Sequence, residues 1–164
     1  MAKADITFET AIAALDEDRR KLVTALHSNA LALGYTPFIA KAGSKPGNYK
    51  IEYKADKASY VLFITRISKG DISIGCKLLH LGKYANLIDE LSETTRHELL
   101  TARPCKTEKG CTGYIHFNYE SKEYFTCRHA MRLKTLTHSD AQSFWSLLAH
   151  ENRFRQEEQI RQEG

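Results

Sequence analysis

The feature that most constrains this chain is a change in the spacing of its apolar residues at Gly34. Before that glycine, Phe8, Ile12, Leu15, Leu22, Leu26 and Leu33 recur in steps of three, four and seven, with Arg19 and Ala30 filling the same stripe. Such spacing belongs to one face of an amphipathic helix. Arg19 interrupts the clean heptads that a dimerising coiled coil would need, so the stripe reads as core-facing. Asp5 or Thr7 can cap the helix at its start, and Gly34 can take the left-handed conformation that ends it.

After Gly34 the period is two. Tyr49, Ile51 and Tyr53 alternate with Lys50, Glu52 and Lys54, which predicts a strand with one apolar and one charged face. Tyr60 to Ile64 is nearly continuous in apolar residues and suits a central strand, and Ile72, Ile74, Cys76 and Leu78 alternate again. Ser68-Lys69-Gly70-Asp71 between those runs has the chemistry of a hairpin turn. The expectation is a three-stranded antiparallel meander with Phe38-Ile39-Ala40 at its edge.

Helical spacing returns at Tyr84, Leu87, Ile88 and Leu91, and Ser92 can cap a second short helix through Leu99 and Leu100 that Pro104 keeps from continuing. A hairpin follows, with Ile115, Phe117 and Tyr119 on one face, a three-residue turn at Glu120-Ser121-Lys122, and Tyr124 to Cys127 returning so that Ile115 lies near Cys127. Thr137-His138-Ser139-Asp140 resembles a capping box opening a helix that uses Phe144, Leu147 and Leu148. Past Glu151 apolar residues thin to Phe154 and Ile160, so fraying is expected over about 152–164.

These elements predict an α+β fold. An antiparallel sheet, the meander plus the later hairpin, is packed by a long N-terminal helix, a central helix pair and a C-terminal helix. No alternation of strand and helix supports a parallel sheet. At 164 residues the chain fits one domain, 1–164, with a Cys-containing loop and hairpin at about 103–129. A chain of this length can bury a core without help from disulfides or metal. The order of a leading helix, antiparallel strands and a later helix pair, over roughly the first hundred residues, resembles the small uncharacterised bacterial α+β domains of the YdhG-like kind. That resemblance implies a fold and lends no activity.

The net charge of +4, from 24 Lys and Arg against 20 Asp and Glu, is too small to indicate nucleic-acid binding by itself. Its distribution says more. Lys41 to Lys83 holds nine basic and three acidic residues, a local +6, whereas Tyr84 to Leu100 holds one basic and four acidic, a local −3. No apolar run resembles a signal peptide or a membrane span, which leads to an expectation of a cytoplasmic protein with no membrane partner.

Cys105, Cys111, Cys127 and His129 form the one concentrated set of soft donors. Three thiolates and an imidazole suit tetrahedral zinc, and a loop preceding a hairpin can approach the strand carrying the last two. The Cys-x5-Cys gap is longer than ordinary zinc knuckles use, so unliganded thiols stand beside structural zinc as a reading. Four protein ligands would close the coordination sphere and leave no position for water. Cys76 falls on an apolar strand face and reads as core.

Other patterns fail on inspection. His97-Glu98-Leu99-Leu100-Thr101 lacks the second imidazole of a helical zinc pair and reads as a polar helix face. Ala42 to Gly47 lacks phosphate-loop spacing and reads as a turn. No Gly-x-Ser-x-Gly elbow supports a serine hydrolase. His27, His80 and His150 are scattered and read as surface or partly packed residues.

The catalytic set is therefore empty, and the leading expectation is a non-enzymatic domain binding a small molecule or a protein, with structural zinc as its one cofactor. The alternative is a nucleic-acid-binding accessory protein using a basic sheet face, with Lys50, Lys54, Arg66, Lys69, Arg128 and Arg132 on phosphates. An enzyme with an unrecognised Cys and His site ranks last. The oligomeric state is open.

Overall fold

The computed structural model describes residues 5–55, 60–102, 114–127 and 131–164. The fold is α+β with an antiparallel sheet, and it divides into two compact units, residues 1–75 and 76–164.

The first unit opens with α1 (Phe8–Ile12) and α2 (Glu17–Ala32) where the periodicity predicts one continuous helix. Two caps explain the break. The Thr7 hydroxyl accepts from the Thr10 N–H at α1, and the Asp16 carboxylate accepts from the Arg19 N–H at 2.8 Å and starts α2 anew. Leu15 stays buried in the intervening turn, which is how the apolar stripe survives the interruption. Leu22, Val23, Leu26 and Ala30 are the buried face of α2, and Gly34 follows its end at φ +84°.

Four strands then run in chain order, β1 (Tyr35–Lys41), β2 (Tyr49–Ala55), β3 (Val61–Ser68) and β4 (Asp71–Cys76), each beside the next. The expected edge segment is thus a full seven-residue strand. Ile39 faces Ile51, and Ile51 faces Thr65, so alternate residues of three strands share an inner face. A bulge between Tyr53 and Lys54 shifts the register near the end of β2. Lys69 and Gly70 take φ of +53° and +81° at the predicted β3–β4 turn, the backbone a two-residue hairpin requires.

In the second unit, two short 3₁₀ turns, Leu81–Lys83 and Ala85–Glu90, replace the first helix of the expected central pair. They still bury Leu81, Tyr84 and Ile88. Next come α3 (Glu93–Leu100), β5 (Tyr114–Tyr119), β6 (Lys122–Cys127), β7 (Met131–Leu133) and α4 (Ala141–Glu163). The β5–β6 turn is two residues, Glu120 and Ser121, both at positive φ, and Lys122 already pairs with Tyr119. That tighter turn moves the register by one residue, so Cys127 faces Tyr114 rather than lying beside Ile115.

The Thr137–Asp140 capping box is formed in both directions. Beyond it α4 runs through Glu163, past the point where the sequence suggests fraying, with Glu151, Asn152 and Arg155 buried along it. Among the described residues no helix is long and apolar enough to cross a membrane.

Candidate functional site

The meander of the first unit has two chemically different faces. On the inner one, Ile51, Tyr53, Phe63 and Ile67 are buried, and the Tyr53 hydroxyl lies 2.9 Å from His27 Nδ1 on α2. Phe8 stacks on the His27 ring with centroids 3.7 Å apart. Burial pushes the His27 pKa down and the Tyr53 pKa up, which leaves a neutral, packed pair.

The outer face carries the basic residues. Phe38 and Glu52 are direct cross-strand partners, Thr36 pairs with Lys54, and Lys50 pairs with Arg66, which puts Phe38, Lys50, Lys54 and Arg66 on one side of the sheet. Lys69 sits in the β3–β4 turn, where its N–H donates to the Asn48 side chain. Glu52 is gripped by the Lys50 ammonium at 2.6 Å and the Lys54 ammonium at 3.5 Å. The Lys50 hydrogen bond, outweighing partial burial and helped by Lys54, holds the Glu52 carboxyl below the usual range. One carboxylate thus sits between two lysines. Phe38 is 53% exposed, and the Lys54 ammonium lies 5.1 Å from its ring centroid.

Of the other residues expected to touch phosphates, Arg132 is exposed on β7 in the second unit, and Arg128 lies outside the described residues. Of the expected zinc ligands, Cys105, Cys111 and His129 lie outside them as well, and Cys127 is placed only as the last residue of β6. Among the described residues no three His, Cys, Asp or Glu side chains gather into a metal-holding group. Cys76 is buried, as expected of a core residue, and burial with the nearby Glu151 charge pushes its thiol up to about 12. A thiol so shifted stays protonated near neutrality and is a poor nucleophile.

The densest polar cluster was not read from the sequence. Glu151 on α4 is fully buried and accepts from the main-chain N–H of Leu79 at 2.8 Å and of His80 at 3.0 Å. The Tyr84 hydroxyl donates to it at 2.7 Å, Arg155 Nε donates at 3.1 Å, and His80 Nδ1 lies 3.0 Å away. Arg155 also donates to the Lys77 carbonyl, and His80 Nε2 lies 2.6 Å from Glu158. Burial first, and then the Glu151 charge, raise the Tyr84 pKa. Both oxygens of Glu151 are committed, so the cluster ties the Leu78–Tyr84 turn to α4.

Two other carboxylates do similar work. Asp140 takes hydrogen bonds from the Ser92 N–H and hydroxyl, the Thr95 hydroxyl and the Thr137 N–H. Glu98 accepts from the Lys134 and Thr135 N–H groups, which gives the protease-like His97-Glu98 run a structural use. No family, no curated protein and no solved structure matches this chain.

Proposed function

We propose that this chain is a non-enzymatic binding domain that takes a protein partner on the outer face of the β1–β4 meander. One observation carries the reading: Phe38 stands more than half exposed on a sheet face beside Lys50, Lys54 and Arg66. Exposed aromatic and cationic groups on a rigid surface are the usual anchors of an interface. The saturated bonding of Glu151, Asp140 and Glu98 supports a scaffolding use for the polar clusters of the second unit.

Structural zinc on Cys105, Cys111, Cys127 and His129 belongs to the same reading. Their donor chemistry fits the ion, and support comes from the hairpin register, in which Cys127 faces Tyr114, only three residues past Cys111. Bound there, zinc would fasten the foot of the hairpin and leave the surface chemistry to the meander. A cytoplasmic location, where thiols stay reduced, accords with it.

A second reading is favoured by the same cations: nucleic acid held through Lys50, Lys54, Arg66 and Lys69, with Phe38 stacking on a base. Binding of a fluorescent acidic peptide and of a short oligothymidylate at low salt separates the two. The protein reading expects the peptide to bind and both Phe38→Ala and Lys54→Gln to weaken it. Peptide affinity unchanged in both variants would remove the meander face as the site, and tight, steeply salt-dependent binding of the oligonucleotide alone would favour nucleic acid.

A further inference from the structure

We infer that the partner presents an extended, acidic segment that adds to the open edge of β1 as one more strand of the meander. The inference rests on the binding reading above and specifies where and how the partner is held.

β1 ends the strand order, and among the described residues no strand pairs with its far side. The direction of its backbone groups follows from one bond. Ala42 N–H donates to the Asn48 carbonyl at 2.8 Å, so these opposed residues form a hydrogen-bonded pair. The antiparallel alternation then assigns the same kind of pair to Ala40 with Lys50, Phe38 with Glu52, and Thr36 with Lys54. Pro37, Ile39 and Lys41 therefore turn their main-chain groups away from β2. Pro37 fits that phase, because a proline facing outward removes no bond from the sheet. The open edge offers the carbonyl of Pro37 and both the N–H and the carbonyl of Ile39 and Lys41, enough to hold a short strand.

Charge selects the occupant. Lys41 is exposed at the end of the edge, and Lys50 and Lys54 stand one strand further in, with Glu52 between them. A second copy pairing through the same edge would bring lysine toward lysine and one proline-interrupted edge against another, an arrangement that natural edges use to prevent self-association. Carboxylates meet no such obstacle.

Alternation selects the sequence pattern. Residues of an added strand that share the outer face with Phe38 and Ala40 would lie about 10 Å from β2, two strand spacings, within reach of extended lysine side chains and suited to Glu or Asp. Those that share the inner face with the half-buried Pro37 and Ile39 suit β-branched apolar residues. The segment thus alternates acidic and apolar residues.

The test is site-resolved amide exchange on the full chain, free and saturated with a short blocked peptide alternating valine and glutamate. Free chain should show Phe38 and Ala40 amides protected and those of Ile39 and Lys41 exchanging fast. Saturation should slow Ile39 and Lys41 about tenfold or more, and Lys54→Glu should weaken the peptide several-fold. Protection of Ile39 and Lys41 already in the free chain would overturn the inference. So would peptide that shifts Phe38 and Lys54 signals without slowing those two amides, an outcome that leaves the outer-face reading standing. Oligothymidylate binding without peptide binding would overturn it in favour of nucleic acid, and no response of the meander to either probe would end both readings.

Discussion

Replacing Glu151 by glutamine changes one atom type and one charge, yet the geometry predicts a large loss of stability. If the new amide nitrogen takes the Oε2 position, it meets the His80 N–H, 3.0 Å away, donor against donor. If it takes the Oε1 position, it meets the Leu79 N–H at 2.8 Å and Arg155 Nε at 3.1 Å. Either way a part-buried main-chain donor loses its acceptor, at about 1–3 kcal/mol. Arg155, itself buried, also loses its ion pair with Glu151, and breaking a buried pair by removing one partner costs about 3–5 kcal/mol in all.

For a chain of this size a loss of 1 kcal/mol lowers Tm by about 2–4 °C, so the expected fall is about 6–20 °C. Urea denaturation followed by the fluorescence of Trp145, the single tryptophan and part of α4, reads the second unit directly. The midpoint should fall with little change in slope. Arg153→Gln, which removes an exposed charge from the same helix, should leave it in place. A loss below about 1 kcal/mol for Glu151→Gln would refute the claim that this carboxylate anchors the unit.

Two titrations give predictions of defined sign. Burial alone would raise the Asp140 carboxyl, but hydrogen bonds from Ser92, Thr95 and Thr137 outweigh it and hold its pKa below the ordinary value. Its stabilisation is therefore complete above the unfolded carboxylate pKa, about 3.9, and disappears as pH falls through the lower folded value; in denaturation series toward acid pH, Asp140→Asn should flatten that limb. His27 is depressed by burial, so the unfolded chain takes up the proton first, and stability held above about pH 6.5 should decline as pH falls toward the folded value. Substituting His27→Gln should remove that part of the slope, and an unchanged slope would exclude His27 as its source.

What the sequence discloses is what short-range pattern encodes. The period change at Gly34, the Lys69-Gly70 turn and the Thr137–Asp140 box are local chemistry, and each stands where spacing puts it. The break between α1 and α2 escaped because an apolar stripe does not register a second cap; Asp16 ahead of Glu17 and Asp18 was the available signal. The two-residue turn at Glu120-Ser121 escaped because neither residue is the glycine or asparagine that usually marks positive φ. Glu151 escaped for a subtler reason. Continued from Phe144, Leu147 and Leu148, the helical period lands on Glu151, Asn152 and Arg155, so the buried face of α4 goes on in polar residues, and Glu151 and Arg155 bond to groups some seventy positions earlier. Composition suggests fraying from about 152 onward, whereas the helix continues through Glu163 with Asn152 and Arg155 buried on it. The outer face of the meander was legible as a charged stripe, but the exposure of Phe38 at its edge depended on pairing between strands that no local pattern states.

The most direct measurement uses Phe38 itself. With every phenylalanine fluorine-labelled, the resonance lost in Phe38→Leu should shift and broaden as the acidic peptide saturates the chain, while that of the buried Phe63, assigned in the same way from Phe63→Leu, stays fixed. Saturation measured independently by anisotropy, with the Phe38 resonance unmoved, would contradict the assignment of the meander's outer surface as the place of recognition.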